Sequence, residues 1–159
     1  MAPQAGSSES GPSKVRSHKA LSEVADSEWT DFIAKLEAAE HEFAQGRSAA
    51  FKALWSHSDD VSICGAFGGV ESGWDKVASR LDWASSQFSE GTRSREEIRS
   101  AIGADFAYLV QLEHIRFRVP GRTEESTLDL RVTMVFRREA AGWRIVHRQA
   151  DSQKSTELP

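Results

Sequence analysis

A single cysteine, Cys64, stands in a chain of 159 residues, which excludes an intrachain disulfide and a cysteine-built metal cluster. Asparagine is absent altogether, so there is no N-glycosylation acceptor. The five histidines, at 18, 41, 57, 114 and 147, show no paired ligand spacing, and no metal site is expected. No apolar run approaches the length of a bilayer span, so a membrane is not an expected partner. Met1 to Ala20 also lacks the apolar core of a secretory signal, which leaves cytoplasmic residence as the default expectation. Basic excess is missing too, with 20 Lys and Arg against 24 Asp and Glu and a net charge of -4. Nonspecific nucleic-acid binding needs clustered basic residues, so nucleic acid is not an expected partner either. Gly65, Gly68 and Gly69 match neither a P-loop nor a dinucleotide fingerprint, and no cofactor is expected. No serine sits in a Gly-x-Ser-x-Gly context, the setting of a hydrolase nucleophile.

What remains has the composition of one soluble globular domain, 39% hydrophobic and 28% charged, long enough to bury a sizeable core. Its ends differ from its middle. From Met1 to about Ala25 the chain is rich in Ser, Gly, Pro and Ala and has no aromatic residue. Such a stretch buries too little apolar surface to offset its ordering entropy, so 1–25 reads as a disordered tail. Its serine-rich, basic character also fits an organelle transit peptide. The domain then spans 26–151, and 152–159 reads as a second loose end.

A first helix is expected from Ser27, its N-cap, to Gln45, with Glu28 and Asp31 in its first turn. Trp29, Phe32, Ile33, Leu36 and Phe43 form its apolar stripe, Lys35, Glu37, Glu40 and Glu42 mostly face elsewhere, and Gly46 ends it. A shorter helix, Ser48 to Trp55, carries Phe51, Leu54 and Trp55, and a strand from Val61 to Phe67 follows. Gly68-Gly69 reads as a turn and Ser72 as the cap of a third helix with Trp74, Val77, Ala78, Leu81 and Phe88 on one face, stopped by Gly91. Trp83 lies on the opposite side of that wheel, where it could cover a loop, fill a subunit contact or line a ligand site.

Downstream the period changes to two. Leu128, Leu130, Val132, Met134 and Phe136 alternate with Asp129, Arg131, Thr133, Val135 and Arg137, the pattern of a strand with one dry face. After a break at Arg138 to Gly142, a second strand from Trp143 to Asp151 completes an antiparallel hairpin. Arg93 to Ile102 and Asp105 to Val119 read as two more strands joined at Gly103-Ala104-Asp105. The order is three helices followed by most of a sheet, an α+β architecture with helices packed on one antiparallel sheet.

Three segments carry a family resemblance: D-D-V-S-I-C-G-A-F-G-G-V-E-S-G-W (Asp59 to Trp74), D-F-A-Y-L-V-Q-L-E (Asp105 to Glu113) and L-R-V-T-M-V-F-R-R (Leu130 to Arg138). With the closing W-R-I-V-H-R-Q-A-D, the chain resembles the SnoaL-like branch of the nuclear transport factor 2-like (ketosteroid isomerase-like) superfamily over about Ser27 to Asp151. The resemblance implies a cone: a bent sheet wrapped round a long N-terminal helix with a pocket between them. It also implies a homodimer, commonly built through the outer sheet face. Members include ketosteroid isomerases, polyketide cyclases, dehydratases and epoxide hydrolases, and also assembly modules such as the association domain of calcium/calmodulin-dependent protein kinase II. Related chains often end H-R-H-A-D, where this one has Gln149 in place of the second histidine.

A carboxylate or imidazole in an apolar pocket is what acid–base chemistry near neutral pH requires. The residues that could supply it are Asp59, Asp60, Glu113, His114, His147 and Asp151, with Tyr108 as a hydrogen-bond donor. Glu113 and His114 are adjacent, so only one faces inward on an undistorted strand. The side taken by His147 depends on the hairpin loop. Five loop residues set it opposite Thr133 on the polar side, and four set it opposite Met134 on the apolar side. The leading expectation is binding of a small apolar molecule between helices and sheet, against Phe32, Trp55, Trp83, Tyr108 and Met134. One alternative is a cofactor-free isomerase, cyclase, dehydratase or hydrolase with Glu113, Asp59 or His147 as base. Another is a dimeric assembly module whose pocket is vestigial.

Overall fold

Between Ser13 and Ala44 neither proline nor glycine interrupts the chain. In the computed structural model, which describes residues 13–154, all of it forms one helix, α1 (Ser13–Ala44). Residues 13–25, read above as tail, are therefore helical, and Ser27 is not the cap. Lys14, Arg16, Lys19, Ala20 and Leu21 are good helix formers, and adding them to a helix already nucleated downstream costs little. Positions 1–12 and 155–159, with the matching parts of both tail assignments, lie outside the described residues.

Trp29, Phe32, Leu36, Ala39, Glu40 and Ala44 are buried along α1, a stripe at spacings of three and four. Glu40 is thus on the inward face, not with exposed Lys35 and Glu37. After Gly46, α2 (Ala49–Ala53) is short. Its expected continuation to Trp55 is replaced by two backbone bonds to the sheet edge: Ser56 N–H donates to the Ile145 carbonyl and Ile145 N–H to the Leu54 carbonyl, each 2.9 Å.

The strand expected over Val61 to Phe67 is instead a small hairpin, β1 (Ser62–Cys64) and β2 (Val70–Ser72), around the loop 65–69. Ser72 belongs to β2, and Gly73 precedes α3 (Trp74–Ser85). Phe88 lies past the end of that helix. Gly91 sits inside β3 (Ser89–Ile102) rather than stopping α3. A side-chain carbon there would collide with the Ala44 carbonyl at the end of α1, so only glycine lets the two backbones approach so closely.

The sheet is completed by β4 (Phe106–Arg118), β5 (Glu125–Glu139) and β6 (Gly142–Ser152). Its order is β2-β1-β6-β5-β4-β3, antiparallel throughout except where β1 runs parallel to β6. The fold is α+β, with helices on one face of a curved, unclosed, mostly antiparallel sheet. Two aromatic clusters fill the space between: Trp29, Phe32, Phe136 and Trp143 at one end, and Phe43, Phe51, Phe88 and Phe117 at the other. No helix among the described residues is long and apolar enough to cross a membrane.

One irregularity positions the site. Glu139 pairs with Gly142, so the β5–β6 loop is only Ala140-Ala141, shorter than either expected length. Phe136 pairs with Ile145 but Val135 with His147, leaving Val146 as an extra residue. This bulge shifts the parity of everything after it on β6. Arg148, opposite Met134, then turns inward, and His147, opposite Val135, turns outward.

Candidate functional site

The inner face of β4 is Ala107, Leu109, Gln111, Glu113, Ile115 and Phe117, all buried. Two polar residues in the middle of an apolar stripe need partners, since an unpaired buried charge is costly. They have them. Gln111 Nε2 donates to Glu113 Oε1 at 2.7 Å. Arg148, delivered by the bulge, donates through Nη1 to Oε1 and through Nη2 to Oε2, each at 3.0 Å, a bidentate fork. Arg93 from β3 places Nη2 2.8 Å from Glu113 Oε1.

The same Arg93 Nη2 lies 2.6 Å from Glu40 Oε2, and Arg148 Nη1 lies 3.6 Å from Glu40 Oε1. Neither contact is aligned as a hydrogen bond: both Glu40 oxygens and Arg93 Nη2 are buried without a hydrogen-bond partner. The site is therefore a quartet of two arginines and two carboxylates in which Glu113 is well held and Glu40 is not.

The quartet forms the floor of a cavity of about 70 Å³. Its walls are apolar, including Phe43, Phe51, Leu81, Phe88, Ile115 and Leu130, and its rim is made by the 65–67 stretch and Arg80. Exposed Phe67 packs edge-on against Trp83, and Arg80 lies over the Trp83 ring. Buried side by side, the two carboxylates diverge. Burial by itself would raise Glu113, but the charges of Arg148 and Arg93 outweigh it and hold Glu113 well below the usual carboxylate range. Burial also raises Glu40, the charge of Glu113 raises it further, and the weaker pull of Arg93, Arg148 and Arg95 leaves it at about 7. Glu40 is thus the carboxyl of the site that is raised towards neutrality, with the Arg93 guanidinium beside it.

Of the residues picked from sequence, only Glu113 reaches the cavity, and its two arginines keep it ionised, unsuited to take a proton near neutrality. His147 faces the other side of the sheet, with Nδ1 2.7 Å from the Ser62 hydroxyl. Asp59 is exposed in the link before β1, and Asp60 is bound by Arg137. His114 pairs with Asp129 and Asp151 with Arg131, all on the outer face. None of the five expected ligand contacts lines the cavity. Phe32, Trp55 and Met134 are core residues, Tyr108 is exposed on the outer face, and Trp83 is exposed beside Phe67. Among the described residues no group of three or more His, Cys, Asp and Glu is placed to hold a metal ion.

Sequence reasoning missed Glu40, Arg93 and Arg148. Glu40 carried a signal, since it follows Leu36 by four residues on the buried stripe. Arg93 follows from the parity of β3, where it pairs with Ile115. Arg148 had no such signal, because the bulge that turns it inward is not written in the pattern.

Among curated proteins none matches the chain in sequence. Solved structures do resemble it. A nuclear transport factor 2-like superfamily protein from Salmonella enterica is 19% identical with a TM-score of 0.68, covering 86% of this chain and 96% of its own. A ketosteroid isomerase-like protein from Erwinia carotovora is 15% identical with a TM-score of 0.64, covering 78% and 95%. A type 2 hexachlorocyclohexane dehydrochlorinase is 11% identical with a TM-score of 0.68, covering 86% and 93%. At such identities the likeness establishes the fold and leaves activity open. Sequence carries the rest: residues 33–151 match the model of the SnoaL-like domain, and the chain belongs to that family.

Proposed function

We propose that the chain binds a small, mainly apolar molecule in the cavity between α1, α3 and the sheet, with one polar group of that molecule set against the charged floor. The observation that carries this is the cavity itself, apolar on its walls and charged at one end, the usual make-up of a small-molecule site. A thermal-shift panel of small carboxylates, alcohols, ketones and lactones tests it. A ligand at 100 times its dissociation constant should stabilise the fold by about 2.7 kcal/mol. Ala84, on α3, lines the cavity, and Ala84→Leu should fill much of it and weaken the shift while the protein stays folded. A shift unchanged in Ala84→Leu would place the ligand elsewhere.

A second reading, acid–base catalysis, is favoured by Glu40, whose carboxyl is buried, unbonded and able to exchange a proton near neutral pH. Any compound from the panel that turns over should do so with a loss of at least about a hundredfold in kcat for Glu40→Gln. Equal turnover in that variant would end the catalytic reading.

We further propose a homodimer through the outer sheet face, where Phe106 and Tyr108 are exposed beside half-buried Val110, Leu112 and Val135. An exposed apolar patch of this kind suits a partner surface. Light scattering should give twice the 17.6 kDa of one chain, and Tyr108→Glu should return it to that mass. A wild-type chain that is monomeric at high concentration would refute the dimer.

A further inference from the structure

The two carboxylates of the quartet are not equivalent. Glu113 takes a bidentate fork from Arg148 and a bond from Gln111, so removing it would strand three donors. Glu40 accepts no aligned hydrogen bond at either oxygen, and Arg93 Nη2 beside it donates none. Both residues line the cavity, and their side chains are only 5% and 6% exposed. Two arginines against Glu113 alone leave one positive charge at the floor, and Glu40 is what cancels it. Its contribution is charge without hydrogen-bond geometry. An anion free to choose its own orientation in the cavity could supply both.

We propose that Glu40 holds the place of a ligand's carboxylate: the cavity takes a small monocarboxylate with a compact hydrocarbon body, whose head aligns on Arg93 while Glu40 takes up one proton from solvent. The proposal rests on the reading of this cavity as a ligand pocket. Charge balances on either side of the Glu40 titration. Where Glu40 is ionised, a carboxylate and a proton enter together and the quartet stays neutral; where Glu40 already holds its proton, the carboxylate alone cancels the one positive charge of the quartet. Neutralising Glu40 breaks no aligned hydrogen bond, whereas neutralising Glu113 would break three. The charged groups around Glu40 are Arg93 and Arg95 from β3, Glu113 from β4 and Arg148 from β6. Arg95 is engaged by Glu37 and Glu97, which leaves Arg93 as the guanidinium open to a newcomer. The volume limits the body. An apolar cavity of about 150 Å³ holds benzene, so about 70 Å³ suits a short branched chain more than a ring.

The test is a chemical-shift titration of the isotope-labelled full chain with three probes of one shape: 3-methylbutanoate, 3-methylbutan-1-ol and 3-methylbutylamine. None of the three changes charge between about pH 6 and about pH 8. The carboxylate should bind tightest of the three at the lower pH, with shifts at Ala84, Ile115 and Leu130. Its dissociation constant should rise about tenfold on going to the higher pH, because Glu40 must then be protonated for binding to occur. In Glu40→Gln that dependence should vanish, with wild-type low-pH affinity kept at both values. Arg93→Met should abolish the preference for carboxylate over alcohol. Binding of the alcohol as tight as the carboxylate, or pH-independent carboxylate binding by the wild type, overturns the proposal and leaves the pocket standing. If none of the three moves a cavity resonance at millimolar concentration, the pocket reading falls with it. Should either variant fail to fold, the wild-type pH dependence decides alone.

Discussion

Replacing Glu113 by alanine is expected to destabilise the domain by about 3–5 kcal/mol, enough to unfold a marginal protein. The variant strands Gln111 Nε2 and both terminal nitrogens of Arg148, and leaves two buried guanidinium groups facing one carboxylate. Loss of packing is the smaller part of the effect. The uncompensated charge is the larger, and a compensating substitution shows it. In Glu113→Leu combined with Arg148→Met, one positive and one negative charge leave together, and the Glu40–Arg93 contact remains. The double variant should recover most of the loss, because apolar side chains of similar volume replace a buried pair at little cost. Urea unfolding of wild type, single and double variants measures this. A single variant within about 1 kcal/mol of wild type would mean that the Glu113 pairing contributes little to folding.

The second large effect is a stability that falls as pH rises through the mildly acidic range. Glu40 keeps its proton in the folded chain up to about pH 7, against an ordinary value of 4.5. Between those two values the folded state binds more protons than the unfolded one, so stability declines with rising pH, by roughly 3 kcal/mol in all. Below 4.5 both states hold the Glu40 proton and the decline is absent. Glu113 acts in the opposite sense. Its carboxyl is held below the usual range, so its stabilisation is present above that value and is lost as pH falls through the acid range. Together they place the stability maximum near pH 5 rather than at neutrality. Glu40→Gln should match wild type near pH 4.5 and exceed it by roughly 3 kcal/mol near pH 8. Denaturant midpoints across this range read the difference, and a wild type whose stability is flat from pH 5 to 8 would show that Glu40 titrates normally. A residue whose removal stabilises the fold fits a group kept for function.

Much of the architecture was legible because it is local. The period-two alternation over Thr127 to Phe136 sets which side of β5 is dry. Helical spacing from Trp29 to Leu36 set the face of α1, and Gly46 set its end. The start of α1 was misread because composition describes how a segment behaves alone, whereas residues 13–25 extend a helix anchored by the core downstream. The sequence leaves either Glu113 or His114 facing inward, and the structure sets Glu113 there, in phase with Leu109 and Ile115.

The chemistry of the site was another matter. Glu40 is an ordinary helix residue until β3, β4 and β6 converge on it, and its raised pKa is a property of that convergence alone. His147 and Arg148 are neighbours on one strand, and which of them enters the core depends on a single extra residue, Val146, opposite the Val135–Phe136 step. A bulge is chosen by how two distant strands and their loop fit together, so no periodicity along β6 could report it. Local pattern alone carries the family, the α+β class and the dry face of β5, because propensity and period act over a few residues. That an arginine, and not a histidine, faces Glu113, and that Glu40 is the carboxylate left without an aligned hydrogen bond, follows from contacts between distant parts of the chain, which set parity across a bulge and the burial of charge.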